Sequence, residues 1–397
     1  MHKKNFYLFF ILAIWGFTAC DTVVNDPVGP NQNNPNSSAI PQATLEAFRQ
    51  VYTGVQDFRF RPLNEGKTWE NVFVYSDGTV ISAVDYKGEV IDLEQLNGLK
   101  KALPDAVKQS AAGKGADNYI AGAYELSKSP AQSAGFKVLL KKSDTGNTEL
   151  FFDEASKSFN RQTPQFSIRI NAIYASSTEQ INFTPGIPEV VRQFFTQNQF
   201  KSAALLVTRL DDGNITIDVN YREKQNDSVI SSRILMSEKG EVLQWETPLQ
   251  RELTYRALKV EELPGEITSY LTRNANSFTV DYALAKQSYA KDAVYFVEVQ
   301  NGTKSIRIGV DVTDKNNLSV TNSRQVDQSL LPQNILTYLN NNITGWTFSS
   351  ARLVEEVSKN GVGGNINHYT IEVLKGSGKY ALRFNGKGEF QYQYTVR

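Results

Sequence analysis

The sequence predicts an α+β protein built as tandem repeats, each repeat one helix packed on a four-stranded antiparallel sheet. Three observations carry that prediction. An aliphatic-Pro pair followed by apolar residues at helical spacing occurs five times, beginning at Ile40, Leu103, Ile187, Leu263 and Leu331. A Lys-Gly-Glu turn follows three of these, at Lys87, Lys239 and Lys387. Between the landmarks the chain alternates apolar and polar residues with the period of two that marks half-buried strands.

The helix starts come first. The motif prolines Pro41, Pro104, Pro188, Pro264 and Pro332 are spaced 63, 84, 76 and 68 residues apart. Proline suits a first helical turn because it has no N–H to leave unpaired and its φ is already helical. The aliphatic residue before it is pushed towards extended geometry. In the last copy Leu331, Ile335, Tyr338 and Leu339 then fall on one helical face. The Gly turns lie 46, 51 and 55 residues after Pro41, Pro188 and Pro332, so two independent landmarks recur in the same order. Strand sequence follows each helix: Tyr380, Leu382 and Phe384 share one strand face, and Phe390, Tyr392 and Tyr394 share one face of the next. The units expected are 40–101, 102–164 (the most degenerate), 165–261, 262–329 and 330–397. The third carries an extra strand-like stretch, "QFSIRINAIYASSTEQINF", that fits neither neighbouring unit.

Residues 1–19 have a basic start (Lys3, Lys4), an apolar run from Phe6 to Phe17 and small residues before Cys20. The run is short for a membrane span and has the layout of an export signal. Its "FTAC" ending resembles a bacterial lipoprotein signal, which implies that Cys20 becomes the lipidated first residue. The alternative is an ordinary secretory signal followed by a stray cysteine. Residues 20–39, rich in Asn, Pro and Ser, read as a flexible tether between lipid and folded chain. The localisation expected is the cell envelope, with the chain lipid-anchored to a bacterial membrane. "DTV" at Asp21 and "DSV" at Asp227 have the form of bacterial O-glycosylation sites, a three-residue pattern that chance also supplies.

Composition then excludes function classes. Without residues 1–19 the chain has 40 basic and 42 acidic residues, a net charge of −2, so no basic excess is present for nucleic acid. Cys20 is the single cysteine, and of two histidines only His368 lies beyond the signal. Thiolate nucleophiles, disulfides and His/Cys metal sites are therefore poorly provided for, and no metal or cofactor is expected. His368, at a strand start, reads as a surface side chain.

The proline-led helix, the strands with "YxVxF"-like alternation and Gly turns, and the lipoprotein signal together resemble the PepSY-like, beta-lactamase-inhibitor-like modules of exported Bacteroidota proteins. The resemblance covers residues 40–397, best in the last three units. It implies a helix on one face of a curved antiparallel sheet, with the concave face and its loops clasping a partner protein. No partner-contact motif is present, so fold carries over and a particular inhibitory activity does not.

The remaining candidate sites are local. "DDGN" at Asp211 and "DVTDKNN" at Asp311 cluster oxygens but lack the spacing of a calcium loop, and read as hairpin turns. "GVGGN" at Gly361 lacks the Lys-Ser/Thr of a phosphate cradle. Trp69, Trp245 and Trp346 are the ligand-stacking candidates, set against core burial near strands. No carboxylate spacing points to glycoside hydrolysis. The function expected is a non-catalytic, lipid-anchored binding protein whose sheet faces take a protein, peptide or glycan. The alternative is an inhibitor of an extracytoplasmic hydrolase.

Overall fold

The computed structural model describes residues 40–397 except 56–57, 65, 76–77, 97–100, 115–118, 130–131, 143–145, 161–166, 173–185, 199–201, 223–229, 316, 358–364 and 397. Five short helices punctuate it: α1 (Gln42–Val51), α2 (Asp105–Ala112), α3 (Glu189–Gln197), α4 (Gly265–Asn274) and α5 (Gln333–Asn342). Each starts directly after one of the five motif prolines. The proline stands at the N-cap, one residue earlier than a first-turn position, with φ between −59° and −53° and an extended ψ of 132° to 147°. Its carbonyl accepts the first helical bonds, as in Val107 N to Pro104 O at 3.0 Å and Ile335 N to Pro332 O at 3.0 Å. Helices of eight to ten residues are marginal alone. They are held by a narrow apolar stripe: Val191, Phe194 and Phe195 in α3, Ile335 and Leu339 in α5.

The expected α+β string of helix-on-four-strand repeats is corrected by the sheets. Among the described residues strand accounts for 57% and helix for 18%, and the strands form three sheets, not five. The first sheet has four strands, β1 (Arg59–Asn64), β2 (Thr68–Tyr75), β3 (Gly78–Asp85) and β4 (Val90–Leu96), in sequence order.

The second sheet has nine: β5 (Tyr119–Ser129), β6 (Gln132–Lys142), β7 (Gly146–Phe152), β8 (Ser158–Phe159), β9 (Ser167–Ala172), β10 (Ser202–Leu210), β11 (Ile215–Arg222), β12 (Ile230–Met236) and β13 (Val242–Pro248). Their spatial order is 8-7-6-5-13-12-11-10-9.

The third also has nine, in sequence order: β14 (Leu253–Ala257), β15 (Thr279–Ser288), β16 (Lys291–Asn301), β17 (Lys304–Asp311), β18 (Leu318–Gln325), β19 (Thr347–Val357), β20 (Asn365–Lys375), β21 (Gly378–Asn385) and β22 (Phe390–Val396).

The physical reason for the merger is edge pairing. An unpaired strand edge leaves N–H and C=O groups without partners. Here β13 pairs with β5 (Trp245↔Ser127, Glu246↔Leu126), and β18 pairs with β19 (Val320↔Val357 to Gln325↔Arg352). The unplaced stretch after residue 165 contributes β9, which extends the second sheet beside β10. β14 precedes residue 262 yet belongs to the third sheet.

Each helix covers an apolar cluster on one face of a sheet. Val191 and Phe195 pack on Val207, Ile217, Ile234 and Trp245. Ile335 and Leu339 pack on Leu353, Ile371, Leu382 and Phe384. The three Lys-Gly-Glu turns are tight. Gly88, Gly240 and Gly388 have φ of 79°, 89° and 78°, a region that only glycine enters freely. Asn385 N to Glu389 O and Gly388 N to Asn385 O, both 2.9 Å, close the last of them.

Candidate functional site

Alternation leaves each sheet a second face, turned away from its helix. In the third sheet the chain itself occupies that face. The first sheet is layered between α1 and the third sheet. Trp69, Phe73, Val80 and Val84 pack with Phe48 of α1. The opposite face, with Leu63, Val72, Ile81, Ala83 and Ile91, rests on Tyr255, Tyr282, Leu284 and Phe296. The β3–β4 turn, "DYKGEV", carries alternating charges into this contact.

Each charge meets an opposite one. Asp85 accepts from Arg307 Nη2 at 2.9 Å, and the same nitrogen reaches Glu298 at 2.8 Å. Lys87 pairs with Glu298 and lies 3.8 Å from Asp281. Glu89 takes both oxygens to Arg383 Nη1 at 2.9 Å and faces His368 Nε2 at 3.3 Å. Further along, Lys286 bridges Asp92 at 2.9 Å and Glu94 at 3.3 Å, and the Tyr255 hydroxyl donates to Asp92 at 2.6 Å. At the other end Lys67 reaches Asp281 at 2.6 Å. Thr395 N of β22 donates to Glu46 of α1 at 2.9 Å.

Burial sets the electrostatics. It pushes the Asp85 carboxyl up to about 6, with Arg307 opposing and Glu298 adding. Burial also works upward on Glu298, but Arg307 and Lys87 outweigh it and bring that carboxyl down to about 2. Glu89 is held well below the usual range because Arg383 and His368 outweigh its burial. Burial lowers His368 below an ordinary imidazole, with Glu89 opposing in part. His368 is thus a buried partner of Glu89 and not the surface side chain that its place at a strand start suggests. These are opposite charges matched across an interface.

The second sheet has the same plan and a different occupancy. Its far face carries Lys137 paired with Glu246 at the base, Lys137 3.7 Å from Glu149, and Lys137 4.6 Å over the Tyr124 ring. Arg233 Nε donates to Asp218 at 2.6 Å, and Ser231 Oγ to Asn220 Oδ1 at 2.6 Å. These groups line a cavity of about 450 Å³. Asn220, Ser231 and Arg233 are exposed, and among the described residues no strand hairpin lies across them.

The candidates read from sequence sit elsewhere. Trp69 is fully buried under α1, and Trp245 is buried against Phe194 and Phe195 beneath α3. Trp346 is half-buried on the α5 cluster, its Nε1 donating to Asn340 at 3.1 Å. One tryptophan lies in each sheet's core region, so the three do not form a common stacking platform. Asp212 caps its own turn through Asn214 N at 2.9 Å. Asp311 holds Thr313 N at 2.8 Å and pairs with Lys141 of the second sheet at 2.6 Å. Among the described residues no three His, Cys, Asp or Glu side chains are grouped to hold a metal ion, and no helix is long and apolar enough to cross a membrane. Cys20, Asp21, Asp227 and residues 361–364 lie outside the described residues.

Sequence reasoning passed over Asp85, Glu89, Glu298, Arg307 and Arg383. Each looks like an ordinary solvated charge on an alternating strand. The available signal was the mixture of signs in "DYKGEV", at a turn that uses only Asp85, as acceptor for the backbone N–H groups of Lys87 and Glu89.

No family model and no curated protein matches the chain. Among solved structures it is similar to a BLIP-like protein from Bacteroides fragilis, at 16% identity over 34% of this chain and 88% of that one, with a TM-score of 0.22.

Proposed function

We propose that the chain is a non-catalytic, lipid-anchored binding protein of the bacterial cell envelope, tethered through Cys20 and residues 20–39. Its second sheet holds a charged turn of a partner protein on the face away from α2 and α3. One observation carries the reading. The matching face of the third sheet is filled by the β3–β4 turn of this same chain, held by ion pairs of alternating sign. The molecule thereby supplies an example of what such a face accepts. The second sheet offers the same ingredients, a buried Lys137–Glu246 pair under exposed polar groups. Its charged lining is Lys137 and Arg233 against Glu149, Asp218 and Glu246, an acidic excess of one. That balance suits a turn presenting an exposed Lys or Arg. Inhibition of an extracytoplasmic hydrolase is the special case in which the turn held borders an active site.

Site-specific photo-crosslinking in intact envelopes tests this. Crosslinkers at Asn220 and Ser231 should capture a partner through a peptide that maps to a basic turn. Crosslinkers at Gln193 and Thr196 on α3 should capture none. Equal capture from both faces, or none from either, refutes the reading. Loss of capture with Asp218→Asn or Arg233→Gln, at an exposed pair, in protein whose melting temperature is unchanged, locates the contact.

A further inference from the structure

The clasp leaves a second cavity, of about 600 Å³, between the β3–β4 turn, the end of α1 and the far face of the third sheet. Its size is that of a small-molecule site. Among the described residues its charges are committed with one exception. Glu89 is taken by Arg383 and His368, Glu298 by Lys87 and Arg307, and Asp311 by Lys141. Arg352, on β19, lines the cavity and has no carboxylate or hydrogen-bond acceptor among the described residues. A guanidinium in that position is a fork for a carboxylate.

A second feature points the same way. Ser305 on β17 and Ser319, Thr321 and Ser323 on β18 also line the cavity, and their hydroxyls have no hydrogen-bond partner among the described residues. Registry places them in order. Ser305 stands opposite Ser323, and the next far-face position on β18, Gln325, stands opposite Arg352. Ser319, Thr321 and Ser323 therefore form a ladder about 14 Å long that leads to the guanidinium. Gly309, opposite Ser319, adds no side chain to the floor. Tyr52 and Tyr392 line the cavity and offer ring surface.

Among the described residues, a row of hydroxyls without partners, aromatic rings elsewhere in the lining and one guanidinium without a partner at the end of the row match a ligand with many hydroxyls, apolar ring faces and a single carboxylate. We propose that this cavity binds an acidic sugar, a uronate-containing disaccharide or trisaccharide, with its carboxylate on Arg352 and its hydroxyls along Ser319, Thr321 and Ser323. The site is independent of the second sheet's face.

Titration calorimetry on residues 40–397 decides it, with glucuronyl-N-acetylglucosamine as probe and its methyl ester as the uncharged twin. The acid should bind at least tenfold more tightly than the ester. Arg352→Gln should remove that preference and leave ester binding unchanged. Thr321→Val with Ser323→Ala should weaken acid and ester alike, and Arg233→Gln on the second sheet should change neither. Unchanged Trp346 emission and melting temperature confirm that each variant is folded. No heat at millimolar probe, equal binding of acid and ester, an Arg352→Gln variant that keeps the preference, or equal binding of an acetylated dipeptide carboxylate overturns the assignment. Crosslinking from Asn220 and Ser231 reads the other site and should be the same in Arg352→Gln.

Discussion

Replacing Arg307 by Met tests the clasp at its centre. The guanidinium lies between two carboxylates whose side chains are 0% and 3% exposed, Asp85 and Glu298. Taking one partner from a buried ion pair costs about 3–5 kcal/mol. The low end applies here for two reasons. Lys87 still neutralises Glu298, and Asp85 still accepts from the backbone N–H groups of Lys87 and Glu89, each at 2.9 Å. The expected loss is about 3 kcal/mol near pH 7.5. It should shrink at pH 5, where Asp85, with its carboxyl pushed up to about 6, is already protonated in the parent protein. Adding Asp85→Asn should return part of the loss, with a coupling of about 1–3 kcal/mol.

The assay is built into the chain. Residues 40–397 contain three tryptophans, Trp69, Trp245 and Trp346, one in the core region of each sheet. Urea unfolding of single-Trp versions reads the sheets separately. Arg307→Met should lower the Trp69 midpoint by about 1 M or more, given slopes of about 1–3 kcal/mol/M. The Trp245 midpoint should hold. If Trp69 does not move, or if Trp69 and Trp245 move together, the clasp is not what holds the first sheet.

Three further outcomes follow. Stability should peak near about pH 4–4.5, as followed by melting temperature. Glu298, lowered from 4.5 to about 2, contributes above 4.5 and loses that contribution as pH falls towards 2. Asp85, raised from 3.8 to about 6, contributes fully below 3.8 and loses that contribution as pH rises from there through 6, at most about 3 kcal/mol, so Asp85→Asn should flatten the fall between about pH 4.5 and 6. Phe195→Ala, at a fully buried site beneath α3, should cost about 3–5 kcal/mol and appear in the Trp245 transition and not the Trp69 one. Gly388→Ala should destabilise by more than Gly345→Ala in chemical denaturation. Both have positive φ, but a Cβ at Gly388 would stand 2.6 Å from Asn334 Oδ1, whereas Gly345 has nothing within 4 Å.

What was legible in the sequence was local. The five prolines mark helix starts because proline acts on its own φ and its own missing N–H, and the Gly turns mark hairpins because positive φ is a single-residue demand. Strand faces were legible too, since Leu382 and Phe384 alternate with polar neighbours. Sheet membership was not. Whether β13 ends a sheet or pairs with β5 depends on backbone groups that every residue carries, so nothing in the side chains announces the join. The clasp was hidden for a related reason. Asp85 and Arg307 are 222 residues apart, and Glu89 and Arg383 are 294 apart. No periodicity connects them. The tryptophans drew notice as stacking candidates on residue type, with core burial near strands as the default reading, and the apolar clusters do bury Trp69 and Trp245.

The clasp has a physical cause that precedes any function. Among the described residues the fully buried part of the cluster under α1 is Phe48, Trp69, Phe73, Val80 and Val84, while the four-stranded sheet carries Leu63, Val72, Ile81 and Ile91 on its other face. A four-stranded sheet with one short helix cannot cover both faces, and a unit of that size has a modest core. Docking on the third sheet supplies the missing cover, and the charges around the turn fix which strands meet. The third sheet's far face is therefore consumed by folding, except for the cavity that ends at Arg352. The second sheet needs no such service. Its helix face is closed by α2 and α3, and its far face is polar enough to stand in water with Lys137 and Glu246 already paired. If two sheets of like plan differ in this way, the one that solvates its face without help is the one free to meet a partner. That asymmetry directs the search for binding to Asn220, Ser231 and Arg233.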